Sequence, residues 1–566
     1  MAKKIAIIGS GFASLSAAAY LAKAGHEVSV YEKNGSVGGR ASQLKREGFT
    51  FDMGPSWYWM PDIFEKFFGD FGKKVSDYYQ LDKLDPAYKI FFSDEVITIG
   101  DSMDKICAEF ERIEPGSAVQ LRKLIEKAGK NYDIAINKVV LRPGLSPLEL
   151  ITPETALRVD QFFKTISGEV RKKFKNPKLI STLEFPVLFL GAKPSKTPAF
   201  YNFMNFADFG LGTWHPKGGM YEIIKAMKAL VESLGVRIHT RSPVEKIIIE
   251  DGKAVGLQVL DECGGGKGSN ADGKLNSDAH ATIKRNTLTE GSANAQKKTD
   301  TDVIRNSDTQ VDIEGSTDAN GSTDTNGNTE ENGSLKSPLS GSIRIAADMV
   351  LSGADYHHSE SLLRPEHRQY SEAYWAGRTF APSSLLFYIG FDKKLKNVEH
   401  HNLFFDTDFA RHASEIYDDP KWPQDPLFYA NFPSVTDRGM APESCEAGFF
   451  LVPIAPGLSD TPELRSQYFD LIMTRFESRT GQRVRNSIIF KESFCVNDFV
   501  ERYNSYKGNA YGLANTLSQT AFLRPNLKSA KVANLFFAGQ LTVPGPGVPP
   551  ALISGKLASD LILKNL

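Results

Sequence analysis

The amino-acid sequence predicts an α/β fold, and three of its features carry that expectation. A short apolar run at the amino terminus breaks at a glycine-rich turn. A second β-branched run closes on an acid about twenty residues further on. Helical and strand patterns then mix through the rest of the chain. Ile5-Ala-Ile-Ile reads as a short buried strand that runs into Gly9-Ser-Gly11-Phe-Ala-Ser14, and a helix is expected from about Ala13 to Ala24, stopped at Gly25. Glu27-Val-Ser-Val-Tyr reads as a second strand ending at Glu32. This is the βαβ context of a dinucleotide site. Gly9 permits the tight turn, Gly11 lets a pyrophosphate approach the backbone, and the helix amino terminus faces the anion. Glu32 is placed to accept a hydrogen bond from a ribose hydroxyl. The third glycine of such a turn is here Ser14, and Ala13, Ala17 and Ala18 keep the same helix face small.

The chain has 566 residues, 41% hydrophobic and 24% charged, with a formal net charge of −1. That length is ample for a large core. A balance near neutrality argues against nucleic acid as a partner, because no excess of Lys and Arg is available to neutralise phosphates. Cys107, Cys263, Cys445 and Cys495 lie far apart without a CxxC pair. This excludes a disulfide scaffold and a cysteine zinc site and fits a reducing, cytoplasmic setting. The amino-terminal apolar run is too short for a signal peptide. The uncharged stretch from Asn534 to Gly555 carries Pro544, Pro546, Pro549 and Pro550, which deny it a continuous membrane-spanning helix.

Residues 264–342 break the pattern: no aromatic residue, few aliphatics, and a near-hexapeptide repeat beginning at Gly315, Gly321 and Gly327. Such a composition cannot offset its ordering entropy, so a disordered insertion is expected there. Strand-like runs flank it, at Val236–Thr240, Val244–Glu250, Ala254–Val259 and Ile343–Leu351, so the insertion is expected to replace a hairpin tip. Residues 101–200 read as mainly helical, and 360–489 as mixed.

Gly35-Ser-Val-Gly38-Gly39-Arg40 follows Glu32 closely, and its arginine suits bidentate contact with the same pyrophosphate. With this element the sequence resembles the flavin-containing amine oxidase and carotenoid desaturase superfamily. Phe51-Asp-Met-Gly54-Pro55-Ser56, Asn534-Leu-Phe-Phe-Ala-Gly539-Gln540 and Pro544-Gly-Pro-Gly547-Val548-Pro549-Pro550 fit the same pattern. Trp57-Tyr-Trp-Met-Pro-Asp62, Trp214-His-Pro-Lys-Gly218-Gly219 and Tyr429-Ala-Asn-Phe-Pro-Ser-Val-Thr-Asp437 look like the bacterial-type phytoene desaturases in particular. The resemblance implies a Rossmann-like FAD-binding domain, built from 1–100, 215–263, 343–358 and 495–566. It is interleaved with a mixed α+β substrate domain from 101–214 and 359–494. It further implies FAD held by Gly9, Ser10, Gly11, Phe12, Ala13, Ser14, Glu32, Lys33, Gly38, Gly39, Arg40, Gly54, Pro55, Ser56, Val244, Gly539, Gly547, Val548 and Pro549. The terminal helix would present its positive end to the reduced flavin ring.

The activity so implied is desaturation of phytoene to lycopene or a less desaturated intermediate, with oxygen or a quinone reoxidising FAD. The alternatives are desaturation of another carotenoid, a redox-neutral carotenoid isomerase, and a flavin-free prenyl-binding protein like the Rab GDP-dissociation inhibitors. A hydrophobic polyene implies an apolar tunnel and a protein that docks peripherally on a membrane surface. Trp57, Tyr58, Trp59, Phe64, Phe67 and Phe68, with Phe185–Leu190 and Phe200–Phe206, are candidates for tunnel lining or ordinary core. No catalytic base is identified: Asp208, Glu149 and Glu154 read as solvated acids. His357-His358 and His400-His401 lack metal-ligand spacing and read as structural, so no metal site is expected.

Overall fold

The sequence's first apolar run, Lys4–Ile8, forms the middle strand of a parallel five-stranded sheet in a computed structural model of the chain, which describes residues 1–150, 153–156, 158, 160–260 and 341–566. Across the sheet the strands run Leu535–Phe537, Met349–Ser352, Lys4–Ile8, Glu27–Tyr31 and Arg237–His239. Its strands come from four distant parts of the chain. The near-continuous burial of Lys4–Ile8, Met349–Ser352 and Leu535–Phe537 follows from helices covering the sheet, while the edge strand Arg237–His239 is largely exposed. The helix Phe12–Lys23 packs against the terminal helix Val548–Lys564 and against Tyr221–Ser233. A Cβ placed on Gly555 would lie 2.2 Å from the Ala13 carbonyl oxygen, so glycine is what lets the first and last helices touch. Ser16 Oγ donates to the Leu552 carbonyl across that contact at 2.8 Å.

The expected strand Ile343–Leu351 is two strands. Ser342–Ala346 pairs antiparallel with Lys253–Leu260, which in turn pairs with Val244–Glu250. Met349–Ser352 belongs to the parallel sheet. The break falls at Ala347-Asp348, where the chain passes between sheets and Asp348 Oδ2 accepts from the Lys4 amide at 2.8 Å. Leu260 lies opposite Ser342, so the strands flanking the insertion are paired as a hairpin requires. The expected insertion itself lies outside the described residues, apart from its last two positions.

A seven-stranded sheet forms the other half. Its order is Ile488–Phe494, Ser383–Phe391, Glu446–Ile454, Phe428–Asn431, His401–Phe404, Tyr88–Phe91 and Val96–Ile99. All its pairs are antiparallel except that of His401–Phe404 with Tyr88–Phe91. The last two strands precede residue 100. The domain boundary expected there thus does not follow the sheets, because short amphipathic strands carry no mark of the sheet they join. Phe387, Ile389, Phe404, Phe428 and Phe450 face the helix Pro462–Thr480, whose Ile472, Met473 and Phe476 complete one core. Leu386, Tyr388, Leu403, Tyr429 and Phe449 face the opposite way, into the main core. With both faces covered, polar–apolar alternation is lost, which is why 360–489 read as mixed.

The segment 101–200 is mainly helical, as expected, with helices Met103–Ile113, Ser117–Ile134, Ile166–Lys173 and Pro177–Glu184 among its elements. Among the described residues no helix is long and apolar enough to cross a membrane. Cys107 and Cys495 are buried and Cys445 half-buried, all three as free thiols. Cys263 lies outside the described residues.

Candidate active site

Two glycine turns build the first wall of the site. Gly9 takes a left-handed φ of 83°, and Gly11 ends the turn as the N-cap of Phe12–Lys23 with no side chain capping the helix amides. The second turn closes on the first: the Gly38 amide donates to the Ser10 carbonyl at 3.0 Å, and a Cβ on Gly39 would sit 3.5 Å from Gly11 Cα. Uncapped helix amides at such a turn are an anion site.

Ser14 is buried and explains how a serine replaces the third glycine. A Cβ on Gly353, at the end of the neighbouring strand, would stand 2.0 Å from Ser14 Oγ. The space usually left by the helix residue is thus left by its partner. Ser14 alone of the expected cofactor set does not line the cavity.

Glu32 caps the second strand and is buried at the cavity wall. Its Oε2 accepts from the Ser10 amide at 2.9 Å and Ser10 Oγ at 2.7 Å, and its Oε1 accepts from the Asn34 amide and Nδ2, both at 2.8 Å. Arg40 donates through Nη2 to Ser505 Oγ, and its Nε has no partner. Among the described residues no carboxylate forms an ion pair with it. Burial pushes its guanidinium below its ordinary value. A half-buried cation whose buried Nε is an unused donor, beside uncapped helix amides, calls for an anion. Gly54 passes directly over this arginine: a Cβ there would lie 2.2 Å from the Arg40 carbonyl oxygen. Lys33 is turned to the helix Val496–Tyr503, with Nζ 2.6 Å from the Glu501 carbonyl oxygen.

From the opposite end of the sequence, the terminal helix begins at Gly547, with φ 117° and no side-chain cap, followed by Val548, Pro549 and Pro550. The two uncapped helix ends open on one cavity of about 660 Å³, lined by the expected residues apart from Ser14, Val244 and Gly539 included. The cavity continues between the sheets along Trp59, Phe185, Leu403, Phe405, Ile416 and Leu451. Of the aromatic candidates, Trp57, Trp59 and Phe185 line it, whereas Tyr58, Phe64, Phe67 and Phe68 are core.

Polar groups in the apolar arm are few. His412 is satisfied, with Nδ1 accepting from the Leu427 amide at 3.0 Å and Nε2 2.8 Å from the Pro453 carbonyl oxygen. Burial lowers it to about 4, which keeps it neutral. Tyr429, whose stretch was noted in the sequence only as a resemblance, reaches the cavity from the strand Phe428–Asn431. Its neighbour His401 is buried against Trp57, with ring centroids 4.0 Å apart and planes 8° from parallel.

Asp208 is not the solvated acid its type suggests. It is buried, accepts from the Tyr88 hydroxyl at 2.6 Å, and is pushed by burial to about 8. It does not line the cavity. Glu149 clasps its own loop, accepting from the Gly144 amide at 2.8 Å, and the Glu154 side chain lies outside the described residues. His357 and His358 lie on a helix, Tyr356–Ser361, capped by Asp355, which accepts from the His357 amide at 3.1 Å. Among the described residues no group of three His, Cys, Asp or Glu is placed to hold a metal ion.

A fold with two helix ends and two glycine turns on one cavity defines a flavin-type dinucleotide protein. The family model for flavin containing amine oxidoreductases matches residues 12–272 and 322–563, and the chain belongs to that family of FAD-dependent oxidoreductases. Over 99% of its length the chain is 36% identical to a carotenoid 3,4-desaturase of Haloarcula japonica, covering 98% of that protein. It is 27% identical to a zeta-carotene-forming phytoene desaturase of Myxococcus xanthus over 99% of this chain and 94% of that one. An oxidoreductase structure from Methanosarcina mazei superposes with a TM-score of 0.55 at 16% identity, covering 98% of this chain and all of that one, and shares the fold.

Proposed function

We propose that this chain is an FAD-dependent carotenoid desaturase that introduces conjugated double bonds into phytoene, giving lycopene or a less desaturated intermediate. The observation that carries the reading is the single cavity, which joins an anion cradle to a long apolar arm. The residues present fit FAD. The Gly9–Gly11 turn with the amides of Phe12 and Ala13, together with Arg40, would hold its pyrophosphate. Glu32 would meet its adenosine ribose, with Ser10, Lys33, Gly38, Gly39 and Val244 around it. Gly54, Pro55, Ser56, Gly539, Gly547, Val548 and Pro549 would enclose its ring, and Ser14 would seat the first helix. FAD supplies a hydride acceptor, and the chain's own work is alignment and exclusion of water. Trp59, Phe185, Leu403 and Leu451 offer a polyene no polar competitor and hold it by apolar contact. On this reading the parallel sheet and its helices form the FAD-binding part and the seven-stranded sheet with 101–214 the substrate part.

Leu145, Leu148 and Phe163 are 60%, 71% and 81% exposed on the helical segment, an unusual concentration of large apolar groups. They support peripheral docking on a membrane, where both the substrate and a quinone acceptor dissolve.

A second reading, 3,4-desaturation of an already conjugated linear carotenoid, is favoured by the higher identity to the Haloarcula protein. Expression in phytoene-accumulating and, separately, lycopene-accumulating cells separates the two. Lycopene or neurosporene absorption in the first supports the main reading. Colourless phytoene there, with a red-shifted pigment in the second, supports 3,4-desaturation. No change in either, with FAD-loaded protein present, overturns both.

A further inference from the structure

Desaturation removes a hydride from one carbon and a proton from its neighbour, and the cofactor accounts only for the hydride. We propose that Tyr429 receives the proton, with His401 behind it as the group that takes the tyrosine's own proton. The inference rests on the desaturase reading above.

Tyr429 lines the cavity beside Ser56, and its hydroxyl donates to Ser56 Oγ at 2.9 Å. The same hydroxyl lies 2.7 Å from His401 Nδ1. Rotation about the phenol C–O bond redirects its hydrogen from Ser56 to that nitrogen. Asn431 Nδ2, which donates to the His400 carbonyl at 2.9 Å, also approaches His401 Nδ1 at 3.3 Å. The assignment requires the tautomer with Nδ1 unprotonated and the hydrogen on Nε2, in which Nδ1 accepts from the Asn431 amide and from the Tyr429 hydroxyl turned toward it. Among the described residues that Nε2 has no partner, although the residue is fully buried. A structural histidine would be expected to use both nitrogens, as His412 does.

Burial holds His401 well below its ordinary value, so it stands neutral and able to accept. A weak acceptor suffices. Loss of hydride leaves positive charge spread over allylic carbons, and a C–H next to that charge is strongly acidic. The balance is complete. One hydrogen leaves with its electron pair to the oxidised flavin. The other leaves its pair in the new C=C bond and passes as a proton to Tyr429 Oη, while the phenol proton moves to His401 Nδ1. Two more imidazoles, His400 and His215, stand between His401 and Asp437, with successive ring centroids 4.5 Å apart. His215 Nε2 is 3.4 Å from Asp437 Oδ2, and that contact holds the Asp437 carboxyl at about 2, hence ionised. The row disfavours a lasting positive charge on His401, because burial and the neighbouring His215 both hold it low, so the proton rests there only transiently.

The test uses full-length, FAD-loaded wild type, Tyr429→Phe and His401→Gln, with anaerobic flavin reduction followed against phytoene and against lycopene. Tyr429→Phe should retain flavin content and spectrum yet slow reduction by about 100-fold. The primary isotope effect from deuterium at the proton-losing carbon should also rise. His401→Gln, which can accept a hydrogen bond but not a proton, should show the same isotope signature. Nitrogen NMR of labelled histidine should report Nδ1 of His401 as unprotonated at rest. A Tyr429→Phe rate equal to wild type, a slower rate with an unchanged isotope effect, or a protonated Nδ1 overturns the assignment alone. Wild type that neither carotenoid reduces overturns the desaturase reading and the assignment with it.

Discussion

The two halves of this molecule contact the same cavity by different means. On the dinucleotide side the wall is backbone: Gly9, Gly11, Gly39, Gly54 and Gly547 bring main chain to the surface and leave helix amides uncapped. On the side of the seven-stranded sheet it is side chain: Phe185, Leu403, Phe405 and Leu451 line the cavity. Backbone surfaces bind charge through fixed amides, and at Gly54 an added Cβ would lie 2.2 Å from the Arg40 carbonyl oxygen. Side-chain surfaces exclude water and tolerate exchange among apolar residues of similar volume. Joining a pyrophosphate to a hydrocarbon, as the proposed function requires, needs both.

The sharpest way to break this contrast is to add atoms on the backbone side. Gly555→Leu places side chain where a Cβ already meets the Ala13 carbonyl at 2.2 Å. It should cost about 3 kcal/mol or prevent folding, read as a lower thermal midpoint with loss of bound flavin. An equal disturbance on the apolar wall, Leu451→Met, should cost less than about 1.5 kcal/mol.

Charge on the backbone side comes next. Arg40→Met keeps length and removes the guanidinium, so FAD affinity should fall by about 2 kcal/mol, roughly 30-fold, measured by flavin fluorescence on dilution. Unchanged affinity would mean that the helix amides alone carry the pyrophosphate.

Asp208 tests the side-chain half through pH. Its folded value of about 8 lies above the usual carboxylate value near 4. From pH 4 to pH 8 the folded state therefore holds a proton that the unfolded state releases, and stability falls as pH rises through that window. Asp208→Asn should make that decline shallower by on the order of 2 kcal/mol, seen in denaturant midpoints across pH. Identical slopes would show that folding leaves Asp208 at its ordinary carboxylate value.

The exposed apolar residues of the helical segment should show a smaller effect. Leu148→Glu with Phe163→Glu should reduce vesicle binding about tenfold while leaving flavin content intact. Smallest is Ser14→Gly, expected to change stability by less than about 1 kcal/mol, because Gly353 already makes the room. Gly353→Ala, by contrast, should destabilise clearly.

Much of the dinucleotide side was legible in the sequence because it is local. Strand, turn, helix and terminal acid lie within residues 4–32, and each signal acts on its neighbours through φ angles and caps. The Gly35–Arg40 element could be added by its closeness to Glu32. Pairing of Ser14 with Gly353 was not legible, since the two are brought together only by strand Met349–Ser352 lying beside Lys4–Ile8. The acid Asp208 was misjudged as solvated for a related reason: burial is a property of what covers a residue, and its cover comes from Tyr88 and the neighbouring helices.

The sequence by itself determined the α/β class, the βαβ unit and its anion turn, the resemblance to flavin oxidoreductases, and the helical character of 101–200. These depend on periodicity, glycine placement and short spacings. Only the tertiary structure decided which aromatics face the cavity and which fill the core. It also decided that Tyr88–Phe91 and Val96–Ile99 join the seven-stranded sheet, and that Tyr429, His401 and Ser56 meet. Those residues are hundreds of positions apart or on strands buried on both faces, where alternation is erased and no local signal records which way a side chain points.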